Sequence, residues 1–230
     1  MSQAVIIGTS GGIGAALARS VRASHAYETC WSASRSAPGS DLATDWLALD
    51  LTDEASIAAA AAQCRDVRLV IVATGELKTP EKTYRSLDPE ALARAFQINT
   101  IGPALVAKHF APLMPRSGRS VFAVLSARVG SIGDNRLGGW YGYRASKAAL
   151  NQIIRTLAVE QTRQRPDSIC VALHPGTVDT ALSQPFQSGT PAEKLFSPER
   201  AARDLLKVMD GLTPADTGGF FAWDGQDIPW

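Results

Sequence analysis

Two side chains four residues apart could do proton chemistry. Tyr143 and Lys147 sit in the run Tyr143-Arg144-Ala145-Ser146-Lys147, and on a helix residues i and i+4 share a face. A free phenol has a pKa of about 10, and a cation beside it favours the phenolate and lowers that value. Such a pair suits general acid–base work on a carbonyl or an alcohol. In isolation the same spacing also fits an amphipathic helix with a snorkelling lysine, so a second feature must accompany it.

That feature is the turn Gly8-Thr9-Ser10-Gly11-Gly12-Ile13-Gly14. Glycines let a backbone turn tightly and approach a pyrophosphate closely, and the helix that follows offers free N–H groups and a positive dipole end. Gly8, Ser10, Gly11, Gly12, Ile13 and Gly14 are therefore candidate nucleotide contacts. A tight turn with no ligand is the plainer reading. The second strand bears on which nucleotide. An acid at its end would bind the ribose hydroxyls of NAD, but Ser34 and Arg35 stand there. A guanidinium can pair with a 2′-phosphate, so the expectation is NADP rather than NAD.

These groups need a frame that sets them at one edge. Short apolar runs alternate with helical patterns along the chain. Ala4–Gly8, Glu28–Ser32, Trp46–Leu49, Val67–Thr74, Val121–Ser126, Ile169–His174 and Gly219–Trp223 read as strands. Leu69 to Ala73 is apolar throughout, as in a strand buried on both faces of a parallel sheet. Ile13–Val21 and Ser146–Thr162 read as helices. Asp88-Pro89-Glu90 and Ser197-Pro198-Glu199 are helix starts: a cap, proline at the first position, then an acid. The pattern predicts an α/β fold, a doubly wound parallel sheet of the Rossmann type with about seven strands and helices on both faces. Residues 1–230 are expected to form one domain, with a substrate-loop insertion near 181–197. Leu182, Phe186 and Leu195 of that loop are expected to form an apolar lid.

Composition excludes other classes. With 23 basic and 22 acidic residues the net charge is +1, which gives nucleic acid or an anionic membrane no hold. Cys30, Cys64 and Cys170 are scattered and odd in number, as expected of buried thiols in a reducing compartment. No zinc-like Cys/His spacing occurs, so no metal is expected. Nothing at the N-terminus reads as a signal peptide and no apolar run is long enough for a membrane span. The expected location is the cytoplasm.

Taken together, these landmarks resemble the short-chain dehydrogenase/reductase family across the whole chain. Gly8, Gly12 and Gly14 look like its cofactor glycines. Asp50 and Leu51 look like its adenine site, and Ala73, Thr74 and Gly75 like the turn that closes its fourth strand. Asn99 looks like the asparagine that holds a water in the proton relay, and Tyr143 and Lys147 like the acid–base pair. Pro175, Gly176, Val178 and Thr180 lie in a run that resembles the loop holding nicotinamide and phosphate. Arg128 to Asn135, Gly139-Trp140-Tyr141 and the tail Trp223 to Trp230 resemble the C-factor group and its sniffer-type carbonyl reductase relatives. The resemblance implies NADP(H)-dependent hydride transfer to or from a carbonyl or alcohol substrate. It also implies a homodimer or homotetramer through helices at Pro89–Met114 and Ser146–Thr162. The tail is read as packing.

One position departs from the pattern. The family's catalytic serine falls three residues before a glycine; counted back from Gly130, that place is Ala127. Ser126 is one residue early, and strand side chains alternate. Ser126, Ser131 or no serine could serve. The departure keeps a second reading open, a nucleotide-binding signalling or regulatory protein with little turnover.

Overall fold

The computed structural model describes residues 2–39, 41–42, 45–78, 80–187 and 191–230, and no side chain at Ala192. Among the described residues are nine strands: β1 (Gln3–Ile7), β2 (Thr29–Ser34), β3 (Trp46–Ala48), β4 (Val67–Val72), β5 (Ser120–Leu125), β6 (Ser168–His174), β7 (Thr177–Val178), β8 (Leu195–Phe196) and β9 (Phe220–Ala222). Seven form one parallel sheet in the order β3-β2-β1-β4-β5-β6-β9. The remaining two, β7 and β8, pair separately. Six helices accompany them: α1 (Gly12–Ala23), α2 (Glu54–Ala61), α3 (Pro89–Phe96), α4 (Gly102–Phe110), α5 (Tyr141–Gln164) and α6 (Pro198–Gly211).

Period-2 alternation divides the sheet into two apolar faces. Val5 and Ile7 of β1, Phe122 and Val124 of β5, and Cys170 and Ala172 of β6 face one way, with Ile57, Phe110, Leu150 and Ile154 of the helices α2, α4 and α5. Ala4 and Ile6, Val121 and Ala123, and Ile169 and Val171 face the other, with Leu17 of α1 and Leu205 and Met209 of α6. The doubly wound expectation holds. All three cysteines are buried free thiols, and burial pushes them up to about 11 for Cys30 and about 12 for Cys64 and Cys170. No helix among the described residues is long and apolar enough to cross a membrane.

Strand order reverses between β1 and β4, so the crevice for a ligand opens at their C-terminal ends. Three expectations need adjustment there. Ser126 lies just past β5. The region expected as one helix from Pro89 to Met114 is interrupted by a π turn at Gln97–Ile101 and closes with a short tight turn. The helix carrying Tyr143 begins at Tyr141, not near Ser146. Within the expected lid, Leu195 belongs to β8, and residues 188–190 lie outside the described residues. In the tail, Ile228 is buried and Trp230 stacks on Phe220 at 5.6 Å, as a packing role requires.

Candidate active site

A cleft of about 330 Å³ opens at the crevice. The glycine turn forms one wall, with Gly8, Ser10, Gly11, Gly12 and Ile13 all lining it. Gly8 has φ +98, and a Cβ there would lie 2.8 Å from the Ala73 carbonyl oxygen. A Cβ on Gly12 would come within 3.0 Å of Thr180 and 3.3 Å of Pro198. Gly14 does not line the cleft; a Cβ there would collide with the Gly8 carbonyl oxygen, so it lets α1 pack on the turn. The cap of α1, Gly11, makes no side-chain cap bond and no acid sits in the first turn. The N–H groups at this helix end therefore suit an anion.

The opposite wall carries Ser34, Arg35, Asp50 and Leu51, and Ala73, Thr74 and Gly75 complete it. Ser34 is already bonded: its hydroxyl donates to the Ser36 carbonyl at 2.7 Å and accepts from Trp46 Nε1 at 3.1 Å. Arg35 is exposed. Asp50 accepts from the Thr52 backbone N–H at 2.9 Å and hydroxyl at 2.8 Å, which hold its carboxyl below the usual range. Thr180 and Leu182 close the cleft from the far loop. Pro175 and Val178 are buried. Gly176 sits at φ +80, where a Cβ would lie 2.7 Å from the Phe196 ring, so these three shape the loop and do not line the cleft.

Lys147 and Asn99 lie behind Gly75 at the inner end, and Tyr143 lines a neighbouring recess of about 70 Å³ with Glu76, Glu81 and Arg94. Lys147 is 2% exposed and its ammonium donates to the Leu125 carbonyl at 2.8 Å. Its Nζ lies 3.5 Å from where a Cβ on Gly75 would stand, which puts it against the cleft floor. Tyr143 sits one turn earlier on α5, with the Lys147 Nζ 5.9 Å from its ring centroid. Trp140 packs edge-on against Tyr143 at 6.3 Å, and Phe186 of the lid loop packs on Trp140 at 5.2 Å. Asn99 is fully buried in the π turn. Its Oδ1 accepts from the Glu76 N–H at 2.8 Å, and its Nδ2 donates to the Glu76 carbonyl at 3.0 Å and to the Ser146 hydroxyl at 3.1 Å. Ser146 in turn donates to the Tyr143 carbonyl at 2.9 Å. The π turn thus links the β4 end to the first turns of α5.

The electrostatics run against one expectation. Burial pushes the Tyr143 phenol up to about 12 and the Lys147 ammonium down to about 8. Burial is what raises the phenol, while the ammonium donates to the Leu125 carbonyl. At neutral pH Tyr143 is a protonated phenol, the form that donates a proton. Lys147 also couples stability to pH. Between about pH 8 and its unfolded value of 10.5, the unfolded chain holds a proton that the folded chain has lost, so stability rises with pH. Below pH 8 the cost is fully present. The stability gap, Lys147→Met minus wild type, should therefore be constant below pH 8 and fall towards pH 10.5. Urea unfolding at four pH values measures it, and a flat gap would mean that burial does not tax this ammonium.

Ser126 and Ala127 separate clearly. Ser126 donates to Asn151 Oδ1 of α5 at 2.6 Å, inside the sheet–helix interface. Ala127 follows in extended backbone, φ −146 and ψ 144. Gly130 anchors the count, because a Cβ there would lie 2.8 Å from Lys147 Cβ. The Ser131 hydroxyl donates to the Pro229 carbonyl and accepts from the Asp134 N–H, so it is held at the tail.

Several residues of this region carry no sequence signal. Glu76 and Arg94 line the cleft and form a two-pronged ion pair at 3.0 and 3.3 Å. Ile98 joins them. Their meeting depends on how β4 and α3 turn towards each other.

The family model for short chain dehydrogenase matches residues 2–190. The chain belongs to the short chain dehydrogenase family. Members similar to it include the C-signal protein of Myxococcus xanthus, 37% identical over 145 residues, covering 63% of this chain and 81% of that one. The 1-hydroxy-2-glutathionyl-2-methyl-3-butene dehydrogenase of Rhodococcus sp. (strain AD45) is 32% identical, with both chains covered in full. An NADPH-bound carbonyl reductase from chicken fatty liver superposes with a TM-score of 0.87 at 26% identity, covering 99% of this chain and 94% of that one. The family's oxidoreductase chemistry fits the arrangement at the cleft, and the low-turnover reading gains no support from these likenesses.

Proposed function

We propose that this chain is an NADP(H)-dependent carbonyl reductase in which Tyr143 is the general acid and base. The observation that carries the proposal is the buried Lys147 ammonium at the cleft floor with the Tyr143 phenol one helical turn before it. The cleft suits a dinucleotide: glycines stand where any Cβ would intrude, and the α1 N-terminus is uncapped. Gly11, Gly12 and Ile13 would hold the pyrophosphate, Arg35 the 2′-phosphate, and Asp50 and Leu51 would flank the adenine. Thr180 would meet the nicotinamide side. When bound, the dihydronicotinamide supplies the hydride.

This chain's residues do the rest. Tyr143 gives its phenolic proton to the carbonyl oxygen as charge develops there. Lys147 would place a cation by the nicotinamide ribose and favour the phenolate that forms as the proton leaves. Asn99 fixes the β4 turn against α5, and water in contact with the π turn restores the proton. Leu182 and Phe186 exclude bulk water. Alcohol oxidation uses the same groups in reverse. The substrate is a small-molecule ketone, aldehyde or alcohol with apolar bulk. The Rhodococcus relative makes alcohols bearing a thioether-linked peptide a natural part of the test panel. Consumption of NADPH with no member of an aldehyde, ketone and quinone panel would remove the proposal.

Cofactor choice has its own test. Charge-assisted contacts are worth about 1.5–3 kcal/mol, and Arg35 is exposed, which favours the low end. Arg35→Ala should weaken NADPH about tenfold and leave NADH nearly unchanged, read by nicotinamide fluorescence. Equal losses for both would assign Arg35 elsewhere. The groove between α4 and α5 is lined by Ala104, Ala107 and Ala149, small enough for close helix approach, with Lys108, Gln152 and Glu160 beside them. This supports a homodimer or homotetramer, and light scattering that returned a monomer would exclude it. The location proposed is the cytoplasm.

A further inference from the structure

The helix that carries Tyr143 begins without a local cap. Its cap residue, Trp140, has left-handed backbone at φ 55 and ψ 41, and its side chain makes no cap bond. The first N–H groups of a helix need partners, and here one distant residue supplies two of them. Glu81, in the segment between β4 and α3, is 8% exposed. Its backbone carbonyl accepts from the Trp140 N–H at 2.6 Å, and its Oε2 accepts from the Gly142 N–H at 3.1 Å. A short polar side chain at the cap position ordinarily bonds the second or third N–H of the helix. Glu81 fills that role from 61 residues away.

The surrounding residues are shaped for this contact. A Cβ on Gly142 would stand 2.9 Å from Glu81 Oε1 and 3.2 Å from Leu92. Gly139, at φ +64, would place a Cβ 3.5 Å from the Glu81 carbonyl oxygen. Glycine at 142 therefore gives the Glu81 carboxyl room, and glycine at 139 suits the left-handed backbone that leads into Trp140. A carboxylate at a helix N-terminus is also favoured by the dipole. The next residue after Gly142 is Tyr143, and Trp140 packs on both Tyr143 and the lid residue Phe186. A single buried carboxylate holds the turn that aims the phenol and the ring on which the lid rests.

We propose that Glu81 is a positioning residue, a remote cap that fixes the first turn of α5 and with it the Tyr143 phenol and the Trp140–Phe186 contact. The proposal builds on Tyr143 being the acid. Small displacements of a reacting group cost rate more than binding, so the effect should fall on kcat. Glu81→Ala should lower kcat for an aldehyde roughly tenfold, with KM and the NADPH Kd within about twofold of wild type. Glu81→Gln keeps an acceptor at the same reach and should restore at least half of kcat. If the alanine variant does not fold, Glu81→Asp serves: it keeps the charge but draws the oxygens back by one methylene, and should behave as the alanine was expected to. Wild-type kcat in either shortened variant overturns the proposal, as does a glutamine variant no better than alanine. Hydrogen exchange of the Tyr141 to Arg144 amides needs no turnover and separates this proposal from the assignment of function. Protection there should fall roughly tenfold in the shortened variants and be kept in Glu81→Gln. Unchanged protection overturns the cap even where the enzyme is active.

Discussion

Tyr143→Phe should bind NADPH as the wild type does and lose at least roughly a hundredfold in turnover, the low end for general acid–base catalysis. The substitution removes one oxygen. It keeps the ring that Trp140 meets at 6.3 Å, and it leaves the glycine turn untouched across the cleft. The glycines that line the cleft do not touch the phenol. The loss should therefore appear in kcat and in kcat/KM alike, as expected when an interaction exists only in the transition state. Because burial keeps the phenol protonated up to about pH 12 in the free protein, the wild type should reduce carbonyls at neutral pH without first having to bind a proton. Tyr141→Phe is the control. Tyr141 is exposed at the first turn of α5, and Ala145 stands four residues after it where Tyr143 has a lysine. Steady-state NADPH consumption with the two variants decides the assignment. Loss of activity in Tyr141→Phe with survival in Tyr143→Phe would overturn it.

The sequence carried much of this site because its signals are local. The glycines of residues 8–14 mark a turn through their own backbone needs, and Leu69 to Ala73 marks a doubly buried strand through apolar continuity. Both proline helix starts form as read: Asp88 accepts from the Ala91 N–H at 2.7 Å, and Ser197 accepts from the Arg200 N–H at 3.2 Å. What was illegible depends on partners far along the chain. The start of α5 has no local cap, so periodicity placed it five residues late, while the structure supplies the partner from Glu81. The π turn at Asn99 has no composition cue; it is held by bonds to Glu76 and Ser146. The direction of the Tyr143 shift differs from the expectation for the same reason. Spacing shows that two groups share a face. Only the fold shows that the ammonium is buried and turned to a carbonyl.

Ala127→Ser should raise turnover at least tenfold. A preorganised donor aimed at the oxygen on which charge develops is typically worth about a hundred- to a thousandfold, and the position three residues before Gly130 holds no hydroxyl. Ser126 does not fill the gap. It continues the alternation of β5, in which Leu125 faces α1 and α6, and so points to α5, where it donates to Asn151 at 2.6 Å. An extended residue after it turns its side chain to the opposite side, so a hydroxyl at position 127 would be free of that partner. The Ala127 carbonyl already accepts from the Gly130 N–H at 2.8 Å, which holds the turn while one oxygen is added. Ser126→Ala should have a different signature. Asn151 is buried and its Nδ2 has no partner among the described residues, so removing the Ser126 hydroxyl strips the bond its Oδ1 accepts from the residue just past β5. That should cost about 1–3 kcal/mol of stability and leave kcat nearly unchanged. Measured side by side, thermal midpoint and kcat separate a structural serine from a catalytic one. A stable Ser126→Ala with most of its activity lost, together with an Ala127→Ser that gains nothing, would place the donor at Ser126 and require the strand end to rotate when substrate binds.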